Sequence, residues 1–92
     1  MAVVIIKLRV MPECPEVDLK ALAEQVKEKL AEFGMKAFHS VNEEPVAFGL
    51  KALDFIFLVD ESNSNTDVLE AKIKELKGVQ STQILDVRRA VG

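Results

Sequence analysis

The 92 residues include no tryptophan, no tyrosine, one cysteine and one histidine. With Cys14 alone, neither a disulfide framework nor a thiolate metal site can be built. Cys14 lies between Pro12 and Pro15 in a stretch that reads as an exposed turn, and a lone free thiol suits a reducing interior. His39 by itself leaves little material for acid–base catalysis. A Cys14–His39 nucleophilic pair would need the two side chains together, and nothing in the pattern brings them there. No phosphate-loop or dinucleotide fingerprint occurs. No apolar run approaches the roughly 18 residues that a membrane span requires. The opening MAVVIIKLRV resembles a signal segment, but Lys7 and Arg9 interrupt it and no small-residue cleavage site follows. A cytoplasmic location is expected. Excess positive charge is missing too, with twelve basic residues against fifteen acidic and a net charge of -3. Such a domain lacks the electrostatic footprint of a phosphate-backbone binder, so no direct nucleic-acid binding is expected.

What is present is a folding pattern. Apolar residues make up 49% of the chain and charged residues 29%, as in a folded domain. The length suits one domain, residues 1–92, whose strand and helix faces must converge on a single modest core. Val3 to Met11 alternates as a strand, with Val4, Ile6, Leu8 and Val10 on one face. PECPEVD then reads as a turn. Asp18 is placed to cap a helix from Leu19 to about Phe33, whose stripe is Leu19, Leu22, Val26, Leu30 and Phe33. Gly34 is placed to stop it. Met35 to Val41 is a weaker strand, followed by the polar NEEP. Leu50 to Val59 is a stronger one, with Leu53, Phe55, Phe57 and Val59 sharing a face. Asn65 or Thr66 caps a second helix over Asp67 to Lys77, expected to bury Val68, Leu69, Ile73 and Leu76 and to end at Gly78. Val79 to Val87 reads as the last strand.

Strand, helix, strand, strand, helix, strand is the order of a split βαβ, ferredoxin-like sandwich. The fold class is α+β, a four-stranded antiparallel sheet with two helices on one face. The other face would carry Lys7, Arg9 and Asp54, mixed in charge and open to a partner. Fold alone does not name that partner.

AFGLKALDF, residues 47–55, is the stretch with the most competing readings. A phosphate-cradling loop needs several glycines near a helix start, and Gly49 is a single glycine ahead of a strand. A base-stacking strand needs aromatics on the open sheet face, whereas Phe55 and Phe57 share the packed one. Phe48 lies before the periodic strand. It either folds over the core edge or anchors a protein partner. Lys51 is a solvated strand residue or a partner contact. Arg88 and Arg89 form a small basic end, either a solvated tail or a reach toward a partner's phosphate or carboxylate. The carboxylate pairs Glu43–Glu44 and Asp60–Glu61 read as solvated turns, without calcium-loop spacing around them.

Three segments carry a resemblance: VMPECPEVDL near the start, EEPVAFGLKAL in the middle and GVQSTQILDVRR at the end. With them the chain resembles, over essentially its whole length, the archaeal elongation factor 1-beta family, related to the catalytic domain of the eukaryotic factor. The resemblance implies the ferredoxin-like fold. It also implies guanine nucleotide exchange on elongation factor 1-alpha, the GTPase that delivers aminoacyl-tRNA to the ribosome, with GDP, GTP and magnesium belonging to that partner. No metal or organic cofactor of this chain is implied. The family's glycine–aromatic–glycine segment matches Ala47, Phe48 and Gly49, so the aromatic that meets the GTPase falls at Phe48 and the following lysine at Lys51. Aligned on Val79, Gln80 and Ser81, the lysine that in the family approaches the bound magnesium and phosphates falls at Arg89, beside Arg88. The chain departs from the pattern with alanine for the first glycine, arginine for that lysine, and Ala90, Val91 and Gly92 beyond it. Exchange by displacement, without covalent chemistry, is the expected function. The alternative is a ferredoxin-like regulatory domain that binds a small metabolite or a protein partner. Ligand-induced stabilisation in the absence of a GTPase would distinguish it.

Overall fold

A computed structural model describes residues 2–46, 49–63 and 65–90, apart from the side chains of Asn63 and Ala90. Four strands, β1 (Val3–Pro12), β2 (Ala37–Pro45), β3 (Lys51–Asp60) and β4 (Val79–Ala90), form one antiparallel sheet in the order β2-β3-β1-β4. Two helices, α1 (Leu19–Phe33) and α2 (Thr66–Lys74), cover one face of it. The ferredoxin-like expectation is met.

Alternation in the two central strands follows from the sheet having one packed face. Val4, Ile6, Leu8 and Val10 of β1 are buried, as are Leu53, Phe55, Phe57 and Val59 of β3, opposite them in register. Leu22, Val26, Leu30 and Phe33 of α1 and Leu69 and Ile73 of α2 close over this surface. Phe38 of β2 meets Phe55 edge-on, with ring centroids 6.5 Å apart.

Helix α1 begins and ends where its sequence says. The Asp18 carboxylate accepts from the backbone N–H of Lys20 at 3.1 Å and of Ala21 at 3.3 Å, satisfying two of the donors a helix start leaves free. At the other end Gly34 takes φ 107, the left-handed conformation that a side chain resists, and its N–H returns to the Ala31 carbonyl. Replacing Asp18 by alanine should therefore cost about 1 kcal/mol of stability. Urea denaturation would show this as a lower midpoint at unchanged slope, and an unmoved midpoint would count against the cap.

Several elements depart from the sequence reading. Strand β2 continues through NEEP to Pro45, because Asn42, Glu43, Glu44 and Pro45 pair with Asp54, Leu53, Ala52 and Lys51. An edge strand needs only backbone partners on one side, so polar side chains and a terminal proline are tolerated there. Helix α2 is shorter than expected, Thr66–Lys74 after an Asn65 cap. Val68 is 45% exposed, contrary to the expectation that it is buried, because it lies about 100° around the helix from Leu69. Strand β4 runs on to Ala90, so Arg88 and Arg89 are strand residues instead of a tail. Its register against β1 slips between Lys7 and Leu8: Lys7 pairs with Asp86 and Leu8 with Ile84, leaving Leu85 as a bulge.

Candidate functional site

The candidate residues fall at two ends of the sheet. At one end Gly49, exposed and at φ +74, precedes β3, and the Val46 N–H to Leu50 carbonyl bond of 2.9 Å closes the connection. A side chain at that φ would be strained, which accounts for glycine there. Lys51 is exposed, and its Nζ stands 3.8 Å from Glu43 Oε1 across the β2–β3 ladder. Ala47 and Phe48 lie outside the described residues. Beside this connection is a cleft of about 240 Å³ lined by Pro12, Cys14, Pro15, Leu19, Glu43, Gly49 and Lys51.

At the other end are the two arginines, on opposite faces. Arg89 pairs in register with buried Val4 and so lies on the helix side. Arg88 pairs with Ile5 and lies on the outer side. Each meets a carboxylate: Arg88 Nε donates to Asp86 Oδ2 at 2.8 Å, and Arg89 Nη2 to Glu61 Oε1 at 2.6 Å. Glu61 opens a short 3-10 turn, Glu61–Asn63, directly after β3. Beside it, Asp60 is held below the ordinary carboxylate range, first by the Ser62 N–H and hydroxyl and more weakly by Lys36, 3.8 Å away. Val87, on the same face as Arg89, is 49% exposed. The sequence reading missed it as a surface residue. A strand-end valine is read as core unless the end of the helix covering the strand is known.

The structure does not bring these two ends together. Lys51 and Val59 are eight residues apart on β3, and Val59 stands level with Val4 and thus with Arg89. At the rise of an extended strand this separation is roughly 26 Å. Cys14 and His39 are also apart. Cys14 lines the cleft beyond the end of β1, while the exposed His39 ring meets the neighbouring Ser40 hydroxyl at 3.1 Å.

The outer face differs from its expected openness. Arg9 and Asp54 do lie there, but they close on each other, Nε to Oδ1 at 2.8 Å and Nη2 to Oδ2 at 2.9 Å. Asp54 is only 3% exposed, so its charge is not available to a partner. These hydrogen bonds make Arg9 hold its proton even more tightly than an ordinary guanidinium. Phe55 and Phe57 are fully buried and offer no platform for bases. Among the described residues, no helix is long and apolar enough to cross a membrane. Among them, too, no three His, Cys, Asp or Glu side chains converge as metal ligands.

Residues 5–90 match the model of the EF-1 guanine nucleotide exchange domain family. The chain is 38% identical over 86 residues to elongation factor 1-beta of Methanothermobacter thermautotrophicus, covering 94% of each protein. It is 41% identical over 83 residues to elongation factor 1-beta of Nanoarchaeum equitans, covering 90% of this chain and 100% of that one. Among solved structures, the ACT domain from GTP pyrophosphokinase of Chlorobium tepidum superposes with a TM-score of 0.61 at 14% identity, over 88% of this chain and 96% of that one. At that identity the likeness is one of fold.

Proposed function

The chain belongs to the EF-1 guanine nucleotide exchange domain family, of the archaeal elongation factor 1-beta kind, and from that premise we propose that it accelerates release of GDP from elongation factor 1-alpha in the cytoplasm, so that GTP can rebind. The observation that carries this reading is the family match over residues 5–90, which spans both candidate ends of the sheet.

In the proposed mechanism the domain touches the GTPase at two separated points. Phe48, with Gly49 and Lys51 beside it, anchors at one end. Arg89 reaches the phosphate-binding region at the other, with Val87 as its apolar neighbour and Arg88 facing away. An arginine brought among phosphate oxygens and magnesium competes with the contacts that retain the nucleotide. Exchange of this kind needs no bond made or broken in the factor itself. It needs negative coupling between factor and nucleotide, and reciprocity then requires nucleotide to expel the factor.

The test is release of a fluorescent GDP analogue from the cognate GTPase, with this protein substoichiometric and unlabelled nucleotide in excess. Multiple turnovers of acceleration are expected, and a factor–GTPase complex that dissociates when nucleotide is added. No acceleration from a folded protein and an active GTPase would overturn the reading. Within the same assay, Phe48→Ala should raise the concentration needed for half-maximal acceleration by roughly tenfold, the loss of a typical anchor aromatic, with the maximal rate nearly kept. A fall in maximal rate alone would contradict the anchoring role.

A further inference from the structure

We propose that Glu61 gates Arg89: in the free protein the carboxylate holds the guanidinium, and the arginine reaches an anionic group of the partner only when this ion pair opens. The proposal rests on the exchange role of Arg89 given above and adds a residue that regulates it.

Glu61 is held at its backbone close to β3, and Arg89 reaches it with its long side chain. The Glu61 N–H bonds the Ala2 carbonyl at 3.1 Å, tying the start of the turn to the beginning of the chain. The Asp60 carboxylate holds the next residue, accepting from the Ser62 N–H at 3.1 Å and its hydroxyl at 3.0 Å. Arg89 stands on the other side of β1 from this turn, and its side chain spans the intervening strand to reach Oε1 at 2.6 Å. Both side chains are well exposed, 67% for Arg89 and 44% for Glu61, so the pair opens without disturbing the core.

Among the described residues, the neighbouring carboxylates at this end have other partners. Asp60 is occupied by Ser62 and Lys36, and Asp86 by Arg88 on the opposite face. An incoming phosphate or carboxylate therefore competes for Arg89 with Glu61 first. A phosphate is the better competitor, since it offers several anionic oxygens to the planar donor fork of arginine. Holding the cation on a weak internal anion also lessens its capture of stray anions before the partner arrives. Exposed pairs of this kind leave the open form a minority of about one sixth to two fifths, so removing the internal carboxylate should raise apparent affinity about two- to sixfold.

The experiment compares wild type, Glu61→Gln, Arg89→Gln and the double variant in the nucleotide-release assay at low and high salt. Glu61→Gln should lower the half-maximal concentration about two- to sixfold at low salt, with the gain narrowing as salt screens the wild-type pair. That gain should be absent in the Arg89→Gln background. If Arg89→Gln is impaired while Glu61→Gln matches wild type or is weaker, the gate is overturned and the exchange role of Arg89 stands. If Arg89→Gln exchanges as well as wild type, the exchange role fails and the gate falls with it.

Discussion

Replacing Arg9 by methionine is expected to destabilise the domain by about 3 kcal/mol, close to the lower bound for breaking a buried ion pair. Arg9 and Asp54 are direct neighbours across the β1–β3 ladder and meet through two parallel hydrogen bonds. Methionine keeps much of the apolar stem that covers the site, yet leaves the Asp54 carboxylate at 3% exposure without its cation. Against a total stability of roughly 5–14 kcal/mol for a chain of this size, the loss is large. Asp54→Asn should cost less, about 1 kcal/mol, because the Arg9 side chain is 28% exposed and its guanidinium can turn to water. Arg9→Met combined with Asp54→Leu should recover most of the loss, since a well-packed apolar pair substitutes for an ionic one. Urea denaturation of the four proteins would check this. A methionine variant within 0.5 kcal/mol of wild type would sink the argument, that threshold being the ordinary effect of a surface change. The pair also opposes misregistration. A one-residue slip of β3 would turn Asp54 from the outer face into the layer of Ile6 and Leu8, and turn Phe55 out of it.

Arg89→Ala should reduce the maximal rate of factor-stimulated GDP release by roughly 30-fold, corresponding to about 2 kcal/mol in the activation free energy of release. Unlike Arg9, Arg89 contributes little to the fold. Its only described ion pair is exposed, and losing such a pair costs under about 1 kcal/mol. Denaturation of Arg89→Ala should therefore be nearly that of wild type while exchange collapses. Arg88→Ala is the control, because the neighbouring cation lies on the opposite face, on Asp86. Equal losses from both substitutions would mean that only net positive charge at this end matters, and the specific role of Arg89 would be wrong.

The architecture was legible where side chains alternate or recur because one side is dry. Val4 to Val10, Leu53 to Val59 and the stripe of α1 are of that kind, and Asp18 and Gly34 mark the helix ends by their own hydrogen-bonding and backbone chemistry. NEEP was not legible as strand, because its pairing with β3 is carried by the backbone and its side chains face solvent. Val68 was misleading in the same way. An apolar residue announces burial only if the opposing surface extends over it, and that extent is a tertiary fact. For the candidate site, the physical pattern left Phe48, Lys51 and the two arginines ambiguous, and family resemblance singled out Phe48 and Arg89. The Arg89–Glu61 contact joins residues 28 apart through a register that no local window contains.

Leu85 turns the choice between two adjacent arginines into a matter of counting. Continued without interruption from Ile84 opposite Leu8, the strand would bring Arg88 level with Val4 and turn Arg89 to the outer side. One supernumerary residue changes odd positions into even ones, and every side chain downstream exchanges faces. The cation offered on the helix side is thus decided four residues upstream of it, by a residue that need carry no charge. A family member with a regular strand could present an equivalent cation from the preceding position, so positions at this end are comparable between relatives only after the parity of the strand has been established.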